Sequence, residues 1–290
     1  VRIARTPPCG PVSVEIPIDV QKMLLDLPAQ LAPVPVNPVL PPAADLDALA
    51  DALAQARRPL LWLGGGARGA SEAVARLAAL GCAVVTSVNG RGVLPEDHPL
   101  SLGSYNLQKP TEAFYGRCDA LLVVGSRLRS NETLTYKLKL PARRLRIDAN
   151  PLAENRGYDS ERFVCGDASL TLHALADRLQ GRLQVDPDFA ADVAQTRQAA
   201  EAAVRQTLGP YVDLLDAVQR AADTQPLWWV RDITLSNTMW GNRAPRLDHP
   251  RAGVHALGGG IGQGLAMGIG AAVADVQHGL GRRTLVLAGD

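Results

Sequence analysis

Excess charge, paired cysteines and long apolar runs are all missing from this sequence. Thirty Lys and Arg against 29 Asp and Glu leave a net charge of +1, so no broad electrostatic field is available to hold nucleic acid or an anionic membrane surface. The four cysteines, Cys9, Cys82, Cys118 and Cys165, form no CxxC pair, which excludes a zinc knuckle and a disulfide framework and fits reduced thiols in the cytoplasm. The five histidines include no i, i+4 pair, so a helical metal site is not expected. The longest Gly/Ala-rich apolar stretch, 258–274, is interrupted by Gln263 and falls short of the ~20 residues that cross a bilayer. Neither an initiator Met nor a basic segment leading into an apolar run opens the chain, so no signal peptide is expected and truncation is.

What remains is an ordinary globular composition, 47% hydrophobic and 20% charged over 290 residues, enough for about two domains. Residues 10–19 alternate Val12, Val14 and Ile16 with Ser13 and Glu15, the period of a strand with one buried face. Six prolines between Pro28 and Pro42 preclude a helix or a central strand and predict an extended linker. Beyond it, Leu46, Leu49, Ala50 and Leu53 keep helical spacing behind Asp45, a suitable N-cap. Short apolar runs at 60–63, 83–86, 120–124 and 145–147 alternate with helical patterns at 70–80 and 168–179. That order predicts a parallel sheet of about six strands with helices on both faces. A charged, Ala-rich helix at 187–208 stops at Gly209-Pro210, and a second α/β unit follows, with strands at 227–230 and 284–288 and a helix running to about residue 274. Adjacent Trp228 and Trp229 must point to opposite faces, so one at least is core. The basic run Arg143, Arg144, Arg146 reads as a solvated loop and strand edge.

Two glycine-rich segments are candidates for chemistry. Gly64 to Gly69 satisfies GxGxxG between a strand and a helix, where backbone N–H groups could approach a diphosphate. The ribose carboxylate expected about 20 residues on is absent, since the strand there ends in Thr86-Ser87-Val88-Asn89, which favours plain strand-to-helix packing. Asp148 could hold a ribose, although its place in Asp148-Ala149-Asn150-Pro151 suits a turn cap. The second segment, Gly258 to Gly264, combines a turn open to a ligand with small-residue spacing for close helix packing. It precedes an apolar strand that delivers Gly289 and Asp290 at its C-terminal edge, where α/β sheets bind ligands and a hard cation finds a carboxylate.

The motifs GPVSVEIPIDVQ, RRPLLWLGGGA, GRGVLPEDHPLSLG, DALLVVGSRL, LRIDANP, GGGIGQGLAMGIGAA and TLVLAGD, in this order, resemble the thiamine diphosphate-dependent decarboxylases and carboligases typified by acetolactate synthase large subunits. The resemblance implies an α/β fold in which a central Rossmann-like parallel-sheet domain is flanked by partial cofactor-binding domains. It divides the chain into 1–21, the end of a pyrimidine-binding domain; 22–42, the linker; 43–182, the central domain; 183–209, a helical linker; and 210–290, the first half of a diphosphate-binding domain. It implies thiamine diphosphate and Mg²⁺ as cofactors, a 2-keto acid substrate, and a homodimer or homotetramer. Cofactor contacts are implied for Gly259, Gly260, Ile261, Gly289 and Asp290, with Asp290 a metal ligand and Ile261 the bulky residue beneath the bent cofactor. The activating Glu is implied upstream of Val1, so no catalytic residue is expected in this chain, which alone is expected to be inactive. Flavin-binding members carry a Gly-Met-His-Gly type segment where this chain has Gly103-Ser104-Tyr105-Asn106, which argues against FAD. The alternatives are a nucleotide- or flavin-binding module and a noncatalytic, regulatory homologue.

Overall fold

The computed structural model describes residues 1–26 and 35–289. A short helix α1 (Arg2–Arg5) opens the chain. The strand expected over 10–19 does not form: among the described residues this segment pairs with no other, and Val12, Val14 and Ile16 are exposed. Alternation supplies an apolar face, but a strand exists only through its hydrogen-bonded neighbours. The proline-rich linker lies partly outside the described residues, and its end runs extended to Pro42. There α2 (Ala43–Ala54) starts earlier than the Asp45 cap would place it. The Pro42 carbonyl accepts from Asp45 N and Leu46 N, leaving Asp45 in the first turn, where its charge complements the helix dipole.

The chain then lays down β1 (Pro59–Leu63), α3 (Ser71–Ala79), β2 (Ala83–Thr86), α4 (Lys109–Tyr115), β3 (Ala120–Val124), β4 (Arg144–Asp148), β5 (Arg162–Cys165) and α5 (Ala168–Leu179). All five strands are parallel, in the order β2-β1-β3-β4-β5. Every side chain of β1, β2 and β3 is buried, which is why these runs show no polar alternation. Leu61, Leu63, Val84, Leu122, Val124 and Ile147 face α2, α3 and α5. Leu60, Trp62, Val85, Leu121 and Val123 form the opposite core with Phe114 of α4 and Phe189 of the next helix, the two rings stacked at 5.6 Å.

The expected sixth strand reduces to a single bridge between Val84 and Ser101. Val84 N donates to Leu100 O and Leu102 N to Val84 O, both at 2.8 Å. Thr86 N adds a bond to Gly103 O at 3.0 Å, but Pro99 lacks a donor and Gly103 turns left-handed (φ +57°), so no regular ladder extends from the bridge. Arg146 also departs from expectation. It is 1% exposed, its guanidinium donating to the carbonyls of Ala153 and Arg156, so this part of the basic run is buried scaffold.

Helix α6 (Phe189–Arg205) gives its first turns to the Phe114 core and its last to a third core with α7 (Tyr211–Thr224). The chain closes with β6 (Leu227–Arg231), β7 (Gly253–His255), α8 (Gln263–His278) and β8 (Arg283–Leu287), a parallel sheet ordered β7-β6-β8. Trp229 is buried and stacks on Trp240 at 5.6 Å, while Trp228 faces the other way and donates from Nε1 to Asp275 Oδ1. No helix among the described residues is long and apolar enough to cross a membrane.

Candidate functional site

The C-terminal edge of the five-stranded sheet carries a cleft of about 310 Å³. The glycine turn after β1 forms one wall, and two of its glycine amides are already used. Gly64 N donates to Val124 O at 2.9 Å and Gly66 N to Gly125 O at 3.0 Å. A Cβ on Gly64 would stand 2.2 Å from Gly125 O, so glycine is required there by backbone packing against the end of β3. At the crevice between β1 and β3, where parallel sheets usually take a nucleotide, that contact holds the two turns together, and both line the cleft. Thr86, Ser87 and Asn89 end β2 without a carboxylate. Asp148 ends β4, accepts from Asn150 N at 2.8 Å as a turn cap, and borders an adjoining cavity shared with Gly66 and Arg127; burial raises its pKa. Arg68, Arg127 and Arg129 line the first cleft with Glu132 as its one acidic residue, giving it a positive potential.

The second place is the edge of the three-stranded sheet. Asp232 follows β6 directly and is buried. Its carboxylate accepts from Ile233 N at 2.7 Å and from Gly262 N and Gly264 N at 3.0 Å each. These amides, Gly264 first, hold its carboxyl below the usual range. The acid thereby caps the turn that enters α8. In that turn Gly258, Gly259 and Gly262 have φ of +64°, +76° and +90°, which only glycine adopts freely, and a Cβ on any of them would meet nothing within 4 Å. Ile261, at the crest, is 75% exposed. The turn is thus pinned from below and open above. Gly264 and Gly268 face inward instead, where Cβ atoms would fall 2.8 Å from Asp232 and 2.4 Å from Val286, so the small-residue spacing does set a close helix approach. Gly289 packs on Thr234, bringing the end of β8 beside the end of β6. Asp290 lies outside the described residues, and no group of three metal-ligating side chains occurs among the described ones.

Leu265, Ile269, Val273 and Val276 continue from Ile261 along one face of α8, all exposed, an uncovered apolar stripe at i, i+4 spacing. The sequence reading missed Asp232, although the rule that singled out Asp290, an acid at the C-terminal edge of an apolar strand, applies to it equally. It also missed the buried Arg91, Glu96 and Arg231, which carry no local pattern.

His255, at the end of β7, is half-buried. Burial first, then Arg231, Arg68, Arg129 and Arg91, push its pKa down to about 4. The folded ring therefore stays neutral where the unfolded chain takes up a proton. Its contribution to stability is whole above about pH 6.5 and is lost as pH falls toward 4, on the order of 2 kcal/mol after allowance for partial exposure. Urea unfolding at pH 7.5 and 4.5 should show a smaller loss in His255→Asn than in the native chain; equal losses would remove His255 from this role.

Comparison with known proteins adds independent findings. Residues 46–175 match the family model for the central domain of thiamine pyrophosphate enzymes. Over 97% of the chain, a Pseudomonas aeruginosa protein named "Probable 2-ketoarginine decarboxylase AruI" is 35% identical, half of its own length being covered. A Methanocaldococcus jannaschii protein named as an acetolactate synthase large subunit is 32% identical over 60% of the chain and 31% of its own length. A Mycobacterium smegmatis structure described as a thiamin diphosphate-dependent enzyme superposes with a TM-score of 0.68 at 23% identity, covering 98% of this chain and 54% of that one. The chain therefore spans about half the length of the relatives it matches most extensively.

Proposed function

Since the chain belongs, through residues 46–175, to the thiamine pyrophosphate enzyme family, we propose that it carries the central domain and part of the diphosphate-binding domain of a 2-keto acid decarboxylase or carboligase. The observation that carries this is the Asp232-pinned turn, whose left-handed glycines and exposed Ile261 open onto space that no neighbour fills among the described residues. Such a platform suits a planar cofactor: Gly259 and Gly260 would offer backbone atoms and Ile261 an apolar support. Thiamine diphosphate, when bound, supplies an electron-accepting ring that takes the pair released as carbon dioxide leaves. The chain's own part is to orient that ring and exclude water from it. Gly289 and Asp290 would bring the Mg²⁺ site to the edge of β8, the carboxylate serving as one oxygen ligand.

The division at 21, 42, 182 and 209 belongs to the same proposal. So does a homodimer or homotetramer, which the uncovered stripe on α8 supports. The unbridged cysteines support a reducing, cytoplasmic setting. One described cavity-lining set favours the nucleotide-module alternative, the three arginines of the central cleft. Against it, the glycine turn spends the amides of Gly64 and Gly66 on Val124 and Gly125, and β2 ends without a ribose carboxylate. Calorimetry of the chain is therefore expected to give no micromolar binding of NAD or FAD.

The test of function is carbon dioxide release from 2-keto acids, 2-ketoarginine among them, by the chain extended to the length of its relatives. Turnover that needs thiamine diphosphate and Mg²⁺ is expected. The 290-residue chain alone should neither turn over nor bind the cofactor saturably, because one terminal carboxylate does not make an octahedral site. Tight binding by the short chain would overturn its proposed inactivity.

A further inference from the structure

Arg91 and Glu96, on the loop after β2, are 2% and 3% exposed and paired through both ends of the guanidinium, Nε to Oε1 at 2.8 Å and Nη2 to Oε2 at 2.6 Å. Neither charge serves its own sheet. Arg91 donates to the carbonyls of Gly241, Arg243 and Pro245, and Glu96 Oε2 accepts from Leu247 N at 2.9 Å. All four partners lie between β6 and β7 of the other sheet. Gly92, at φ +73°, lies so close to the same loop that a Cβ would stand 2.2 Å from His249 O.

The Gly241 carbonyl is the centre of this joint. It accepts from Arg91 Nη1 at 3.3 Å, from Trp229 Nε1 at 3.0 Å and from Arg231 Nη1 at 2.6 Å. Arg231, 1% exposed, ends β6. The next residue is Asp232, whose carboxylate holds Gly262 and Gly264. We propose that Arg91 and Glu96 are positioning residues: from the central sheet they fix, through Gly241 and the end of β6, the turn at 257–264. A fully desolvated bidentate pair suits this task because its geometry is narrow and its partners are immobile. The inference rests on reading that turn as the cofactor platform, but its test needs no cofactor.

Amide hydrogen exchange of the 290-residue chain reads the joint directly. In the Arg91→Gln/Glu96→Gln double variant, which stays polar but loses both charges, the amides of Gly262 and Gly264 should exchange about tenfold faster. Val123 in the central sheet should stay within about twofold of the native rate. Arg91→Lys, which keeps the charge without the fork, should fall between. Arg205→Gln, which breaks the ion pair between α6 and α7 in which Nη2 donates to both carboxylate oxygens of Asp216, should leave both turn amides unchanged. If the double variant does not fold, Arg91→Lys against Arg205→Gln decides the matter. Turn amides that keep native protection, or a uniform rise that includes Val123, would overturn the proposal. A response at the turn, with no thiamine diphosphate binding by the chain extended to the length of its relatives, would instead sink the functional reading and leave the joint standing.

Discussion

Gly64→Ala is expected to destabilise the chain by about 3 kcal/mol or more, at the upper end of what overpacking costs. The added carbon would stand 2.2 Å from Gly125 O and 2.6 Å from Ser126 Cα. Both obstacles are backbone at the end of β3, a central strand held on each side by β1 and β4. No rotamer change relieves such a clash. Gly69→Ala is the control, since a Cβ there meets nothing within 4 Å, and it should stay within about 0.5 kcal/mol. Urea midpoints for the two variants check this, and similar losses would show that the turn's glycines serve something other than close approach. The result bears on function, because it separates close backbone approach to Gly125 from a ligand-binding role as the reason for glycine at this position.

Asp232→Ala should release the turn at 257–264 while leaving the five-stranded sheet intact. The backbone amides of Ile233, Gly262, Gln263 and Gly264 lose their acceptor together, and the first turn of α8 loses its anionic cap. Exchange at Gly262 and Gly264 should rise roughly tenfold to hundredfold, the range of a charge-assisted bond. The same carboxyl predicts an acid response. Its pKa is lowered on folding from 3.8, so its contribution is complete above that value and fades as pH falls through the lower, folded one. Turn amides in the native chain should therefore stay protected at pH 5 and loosen only in stronger acid. Loosening at pH 5 would show that Asp232 is not the clamp.

How much of this was legible beforehand depended on whether the signal was local. β1, β2 and β3 are buried on both faces, so their apolar runs stand out in the sequence. β5 (RFVC) is exposed at two of its four positions and β7 has three residues, too short and too mixed to show a period. The expected strand at 10–19 failed for the opposite reason: its pattern was clear, and pairing, which no pattern contains, was lacking. At the candidate site, the glycine-rich segment 258–264 stood out in the sequence, while the roles expected of Gly259 and Ile261 came from the family resemblance. Arg91 and Glu96 lie some 150 residues from the carbonyl and amide groups they hold. Only the fold brings these together.

The central claim is that the turn pinned by Asp232 is where thiamine diphosphate binds. Its most direct test is calorimetric titration with thiamine diphosphate and Mg²⁺ of the chain extended to the length of its relatives, beside its Ile261→Ala variant. Ile261 is 75% exposed among the described residues, so the variant should fold normally and bind about tenfold more weakly, the loss of one large apolar contact. Saturable binding by the native form and weakened binding by Ile261→Ala is the predicted result. No binding by the native form, or identical affinities for the two, would contradict it.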